Sequence, residues 1–178
     1  KADYVVRLTS DCPLIDANLI DKVIEFTIEN NLDYGSNVLV PSYPDGQDVE
    51  VFKFSALEKA WNNATLTSDR EHVTPYIWRN STFKGGHLFK SANFAEGYDY
   101  NAIRMTVDEI ADFELVSNIV DQQGTNCTWL EYANFIEKNP NISAINAGIV
   151  RNEGYTKSLK KYLQIKSDKV DNICIICS

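Results

Sequence analysis

The run DYVVRLTSDCPLIDANLIDKVIEFTIEN, residues 3–30, decides the fold class. Its first seven residues, 3–9, are apolar and β-branched and predict a buried strand. SDCPLID follows as a polar turn with a proline. From Ala17 to Asn31 the residues Leu19, Ile20, Val23, Ile24 and Ile28 recur at helical spacing, and Asp16 stands where a cap belongs. Strand, loop and helix in this order make half of a βαβ unit.

Outward from that unit the alternation continues. YGSNVLV (34–40) and DVEVFKF (48–54) predict strands, with the loop PSYPDGQD between them. Ser55 with Glu58, Ser68 with Glu71, and Thr128 with Glu131 have capping-box spacing. They predict helices over SALEKAWNNA, DREHVTPYIWRN and WLEYANFIEKN, the second ended or kinked at Pro75. A strand is expected near 86–92 and another at 101–107, NAIRMTV, which leads directly into a helix over 109–123. Trp129, Tyr132 and Phe135 fall at helical spacing, a pattern that suits a core more than an interface. Residues 156–166 are weakly helical and basic, and a short apolar tail follows. The alternation predicts an α/β sandwich with a mostly parallel sheet.

The composition narrows the function. The chain of 178 residues carries 17 Lys+Arg against 25 Asp+Glu, a formal net charge of −8. Such an excess of acid argues against a non-specific nucleic-acid binder. No run of about 18 uninterrupted apolar residues is present to cross a membrane, and the first residues lack the apolar core of a leader, so the chain reads as cytoplasmic. Cys12, Cys127, Cys174 and Cys177 do not form a disulfide framework. Cys174 and Cys177 form a lone C-x-x-C with His72 and His87 far upstream, and a buried terminal strand explains the pair as simply as a metal does. The sequons at Asn63, Asn80, Asn126 and Asn141 read as incidental in an Asn-rich chain.

Two acids stand at predicted strand ends. Asp11 follows VVRLT closely and Asp108 follows IRMTV directly. Ligands of open α/β sheets bind outside the carboxyl ends of strands, where two carboxylates can share one Mg²⁺ with waters and phosphates. By position alone, each is equally a cap for the turn or helix behind it. Asp45, Asp48 and Glu50 form a second acidic cluster in PDGQDVEVF, of which Asp45-Gly46 also reads as a simple turn. Arg70, Glu71 and His72 crowd a helix start; arginine there suits phosphate or carboxylate recognition, and a capping box with a surface ion pair is the plainer reading.

The segments KADYVVRLTSDCPLIDANLIDKVI, YPDGQDVEVFKFSALEKAW, SDREHVTPYIW and RMTVDEIADFELV occur in this order over about Ala2 to Val120. Together they closely resemble the cytidylyltransferase-like family of spore coat polysaccharide biosynthesis proteins, which is related to CMP-KDO synthetase and acylneuraminate cytidylyltransferase. The resemblance implies a Rossmann-like GT-A nucleotidyltransferase sandwich. It implies a reaction of CTP with an acidic or other sugar that gives a CMP-sugar and pyrophosphate. By the same resemblance Asp11 and Asp108 correspond to Mg²⁺ ligands, and PDGQDVEV and DREH lie near the sugar site.

Family members open with a strand and a loop of the type QARxxSxRLPGK that wraps the triphosphate, and nothing like it occurs here. The expectation is therefore an N-terminally truncated fold, with 1–123 the C-terminal part of a nucleotidyltransferase domain and 124–178 a helical extension or arm, inactive by itself. Relatives of this kind often pair, so a homodimer is open. Two further readings stand beside the enzyme: a non-catalytic binding or assembly domain that kept the fold, and a GT-A glycosyltransferase. The last would be expected to carry a D-x-D metal triplet, which the sequence lacks.

Overall fold

A computed structural model describes residues 2–149 and Arg151. The expected basic helix over 156–166 and the Cys174–Cys177 pair lie outside the described residues. Strands β1 (Tyr4–Arg7), β2 (Tyr34–Ser36), β3 (Glu50–Lys53) and β4 (Ser91–Asn93) form one sheet in the order β1-β3-β2-β4. Helices α1 (Ala17–Glu29), α2 (Phe54–Asn63), α3 (Thr67–His72) and α4 (Pro75–Arg79) surround it, with α5 (Ile110–Gln123), α6 (Trp129–Lys138) and α7 (Pro140–Ser143).

The fold is the expected α/β class, but the sheet is mixed where a mostly parallel one was expected. β3 lies antiparallel to both β1 and β2, and only β2 and β4 run parallel. The reason lies in the connection between β2 and β3. Residues 37–49 contain no helix, and a parallel neighbour needs a crossover while an antiparallel one needs only a reversing loop. The sheet is covered on both sides. Val49 and Val51 pack with Leu19 and Val23 of α1 and with Trp129 and Ala133 of α6. Tyr34 and Phe52 pack with Ala56 and Ala60 of α2 and Ile77 of α4. A third cluster joins Leu14 and Met105 to Leu115, Ile119, Tyr132, Ile136 and Ile142. The aromatic pattern of α6 is thus core, with Trp129 and Tyr132 buried.

Segment 101–107 opens in a turn at 101–102 and builds no strand, pairing only in a single parallel bridge between Arg104 and Asp45. Its contacts are single bonds to loops: Asp45 N–H donates to the Ile103 carbonyl at 2.8 Å, Met105 N–H to the Asp45 carbonyl at 2.6 Å, and Val107 N–H to the Asp11 carbonyl at 2.8 Å. Its neighbours are turns, too short to offer it a ladder. The expected strands at 34–40 and 86–92 likewise shrink to three-residue pieces, Tyr34–Ser36 and Ser91–Asn93.

Helix ends follow the sequence in part. Thr128 and Glu131 form the expected reciprocal box, and α3 stops before Pro75, which opens α4. Ser55 and Ser68 are not caps. Both sit inside their helices, which begin one residue earlier, at Phe54 and Thr67, without a side-chain cap. At α5 the box is formed by Glu109 and Asp112.

Asp16 joins two helices. Its Oδ1 accepts from Asn18 N–H at 2.8 Å, capping α1, while its Oδ2 accepts from Trp129 N–H at 3.0 Å, the first residue of α6. Losing it strands two helix-start donors, one of them buried. Asp16→Ala should therefore destabilise the fold by about 2–3 kcal/mol, against about 1 kcal/mol for an ordinary exposed cap; urea unfolding measures the difference.

Candidate functional site

A cleft of about 510 Å³ opens where β1, β3 and the turns after β1 and around Asp45 meet. Asp11, Cys12, Asp45, Asp48, Glu50, His72, Thr74, Arg104, Thr106 and Asp108 line it, with Arg7, Tyr34, Trp78 and Lys84 on its walls. Of the residues singled out from sequence, Asp11, Asp45, Asp48, Glu50, His72 and Asp108 are therefore brought together. Arg70 and Glu71 are not. Arg70 turns away to stack on Trp61, 4.5 Å from the ring centroid, and donates to the carbonyls of Trp61 and Ala64. It thereby closes the end of α2, and Glu71 faces solvent beside it.

Arg104 organises the acidic side. Its side chain is 9% exposed and it meets three carboxylates. Nε and Nη2 donate to Asp112 at 2.9 and 2.8 Å, Nη1 to Asp45 at 2.8 Å, and Nη2 to Asp108 at 2.7 Å. Asp112 also accepts from the N–H groups of Asp108 and Glu109, and from Asn146. Burial alone would raise the Asp112 carboxyl. Arg104, Asn146 and the two N–H groups overcome it and hold the carboxyl down at about 2.

The PDGQD loop is fitted closely to this centre. Gly46 has φ of +102°, and a Cβ there would lie 2.7 Å from the backbone of Met105 and Thr106. Gln47 is fully buried, donating to the Leu14 carbonyl and accepting from Asp16 N–H. The loop is therefore a packed platform on which Asp45 and Asp48 are displayed. Burial raises both carboxyls, the nearby arginines oppose it, and neighbouring acids add to it. For Asp48, which feels Arg151, Asp45, Glu50 and Asp11, the balance stands at about 6.

The opposite wall is held by Glu50. Its Oε1 accepts from Tyr34 at 2.5 Å and Thr74 at 2.6 Å, and its Oε2 from Arg7 at 2.5 Å. Thr74 follows Val73, which has φ of 68° and ψ of −55°. Thr74 N–H donates back to the His72 carbonyl at 2.8 Å, which makes a tight γ-turn of the rare, strained kind. A β-branched residue in this region is held there by its surroundings, here the Glu50–Thr74 bond. The turn sets His72 and Thr74 on the cleft. Cys12 also lines it, but burial pushes its thiol up to about 11, so it is no nucleophile at neutral pH.

Sequence reading missed Arg7, Arg104, Tyr34, Thr74 and Arg151. A usable signal existed for the first two. Each is a lone arginine inside an apolar run, VVRLT and AIRMT, and a charge so placed must find a partner.

The α/β fold, with a mixed sheet and helices on both faces, is consistent with that of the Rossmann-like nucleotidyltransferases. The family described as Cytidylyltransferase matches residues 1–140, and the chain belongs to it. It is 40% identical over 161 residues to the uncharacterized protein MJ1063 of Methanocaldococcus jannaschii, covering 87% of this chain and 61% of that protein. It is also similar to a solved cytidylyltransferase from Leptospira borgpetersenii, with 30% identity and a TM-score of 0.73, covering 84% of this chain and 61% of that one. The chain thus spans about three-fifths of the length of both relatives. Among the described residues no helix is long and apolar enough to cross a membrane.

Two outcomes follow from this geometry. Folded Asp48 holds its proton to about pH 6, while an unfolded aspartate releases it near 3.9. Its stabilising contribution is full below about pH 4 and is lost as pH rises through 6, so Asp48→Asn should be more stable than wild type at pH 7 by about 1–2 kcal/mol, the gap closing near pH 4. Urea titrations at the two pH values read this. Val73→Gly should relieve more strain than it adds unfolded-state entropy, raising stability by about 1 kcal/mol; a fall in stability would show the turn to be unstrained.

Proposed function

We propose that this chain carries the catalytic cleft of a nucleotidyltransferase that joins CMP from CTP to a sugar for surface polysaccharide synthesis. The observation that supports this best is that Asp11 and Asp108 line one cleft. Val107 N–H and the Thr106 hydroxyl both donate to the Asp11 carbonyl, at 2.8 and 3.1 Å. The two acids therefore stand at the ends of adjacent backbone segments and both line the cleft. Asp108 is 57% exposed on its side chain, although Arg104 donates to its Oδ2.

This donor set fits Mg²⁺, which takes one or two carboxylates and completes its shell with waters and phosphate oxygens. Asp11 and Asp108 are the residues that would hold it. When bound, the ion supplies charge neutralisation to the triphosphate. The protein's own residues do the rest. Arg104 fixes Asp108 and Asp45 in place. Asp45 and Asp48 offer carboxylate oxygens as hydrogen-bond acceptors for sugar hydroxyls. Lys84, His72 and Arg7 place basic groups along the cleft. In the reaction a sugar hydroxyl oxygen forms a bond to the α-phosphorus, the bond to the pyrophosphate oxygen breaks, and the hydroxyl proton leaves to solvent or a cleft carboxylate. Positioning and electrostatics account for most of the rate in such transfers.

Thermal shift with CTP tests the reading. With Mg²⁺ at saturating CTP, about 100 times Kd, the protein should gain about 2.7 kcal/mol, with little gain in EDTA. Asp11→Asn and Asp108→Asn should each abolish the Mg²⁺-dependent part while leaving the fold intact. An equal shift in both mutants would remove these residues from the nucleotide site.

A further inference from the structure

The matched family region ends at residue 140, yet the chain returns to the cleft after it. Asn146 is buried and donates to Asp112 Oδ1 at 2.8 Å and to the Arg104 carbonyl at 3.2 Å. Ile149 lines the cleft. Arg151, with only 16% of its side chain exposed, spans the PDGQD loop. Its Nη2 donates to Asp48 Oδ1 at 2.5 Å, its Nη1 to the Tyr43 carbonyl at 3.2 Å, and its Nε lies 3.5 Å from Asp45 Oδ1. Asp45 thereby lies between two arginines: Arg104 donates to its Oδ2, and Arg151 Nε forms a looser ion pair with its Oδ1, without a hydrogen bond.

We infer that Asn146, Ile149 and Arg151 complete the site and that Arg151 is a positioning residue, which fixes Asp48 and Asp45 as acceptors for the hydroxyls of the sugar. This rests on the nucleotidyl-transfer reading. Three features carry the inference. First, the contacts converge on one six-residue stretch, from the carbonyl of Tyr43 to the carboxylate of Asp48. Second, a planar guanidinium can hold two carboxylates and a carbonyl in one fixed arrangement, which a lysine ammonium cannot reproduce in full. Third, Asp48 lines the same cleft as Asp45, Glu50 and Asp11, and the Arg151 guanidinium that donates to it offsets the repulsion among them. Small displacements of groups that orient a substrate cost large factors in rate or binding.

The test uses the complete natural protein carrying this chain, as wild type, Arg151→Met and Arg151→Lys. Pyrophosphate release is followed with CTP·Mg²⁺ and, as sugar probes, KDO and N-acetylneuraminate. Amide hydrogen exchange of residues 43–50 is measured on the same samples without ligand. Arg151→Met should raise the sugar KM about tenfold or more while kcat and the CTP KM change by less than about threefold. Arg151→Lys should recover part of the loss. Exchange in Arg151→Met should quicken over 43–50 and stay unchanged in α1 and α5. An unchanged sugar KM, or exchange that quickens equally throughout, overturns the inference. Should wild type fail to bind CTP·Mg²⁺, the nucleotidyl-transfer reading fails. Should it bind CTP·Mg²⁺ but use neither sugar, exchange decides alone: confined loosening of 43–50 upholds Arg151 as the loop's clamp, and its absence removes it.

Discussion

The buried guanidinium of Arg104 is the constraint on which the acidic half of this molecule depends. A charge in that position is tolerable only with its donors satisfied. Asp112 takes two of them, Asp45 one, and Asp108 shares one. The three partners come from three places in the chain: the first turn of α5, the PDGQD loop, and Asp108, directly after segment 101–107. Satisfying one side chain therefore fixes the relative position of all three. Removing Asp112 would leave the charge half paired, which in buried pairs costs about 3–5 kcal/mol. Asp112 has a second duty, because it also serves the N–H groups at the start of α5. The helix start and the cleft wall are thus one structure.

The same economy explains how a chain of net charge −8 gathers carboxylates without flying apart. The acids are graded by what faces them. Asp112 is held ionised by a bidentate arginine, while Asp48 keeps its proton to about pH 6 because burial and three acidic neighbours outweigh Arg151. Glu50 is buried too, but it accepts three short hydrogen bonds and so belongs to the scaffold, locking β1, β2 and the turn at Val73 together. Similar side chains within one cleft thus divide into braces and cleft-lining acceptors according to their donors.

Much of this was legible in the sequence. The apolar run at 3–9, the helical spacing at 17–31 and the Asp16 cap gave the opening unit, and β1 and α1 stand there. The acids of DCP, PDGQD and VDE reach one cleft: Asp11 and Asp108 stand on adjacent backbone segments, and the PDGQD loop bridges to Arg104 beside them. What escaped was set by partners remote in the chain. The antiparallel course of β3 depends on the absence of a helix in 37–49, visible in the sequence but outweighed by the general alternation. Ser55 and Ser68 have capping-box spacing, but spacing cannot say which residue starts the helix. Arg70 sits in a charged motif, yet the exposed ring of Trp61 and two free carbonyls at the end of α2 claim it. Local pattern names the residues that could act, and long-range pairing chooses among them.

Arg151 shows the limit most clearly. Nothing in INAGIVRNEG distinguishes its arginine from a solvated charge. Its significance comes from residues 103 positions earlier, at Asp48, and 108 earlier, at Tyr43. A segment that looks like an appendage by sequence thereby shares the energetics of the cleft. Asn146 makes the same point from inside, since one amide bonds both the Arg104 carbonyl and the Asp112 carboxylate. The described end of the chain is consequently coupled to the acidic centre at two independent places, one buried and one at the cleft edge. A disturbance at either would reach Asp45 through an arginine, and Asp45 is the residue that both arginines share.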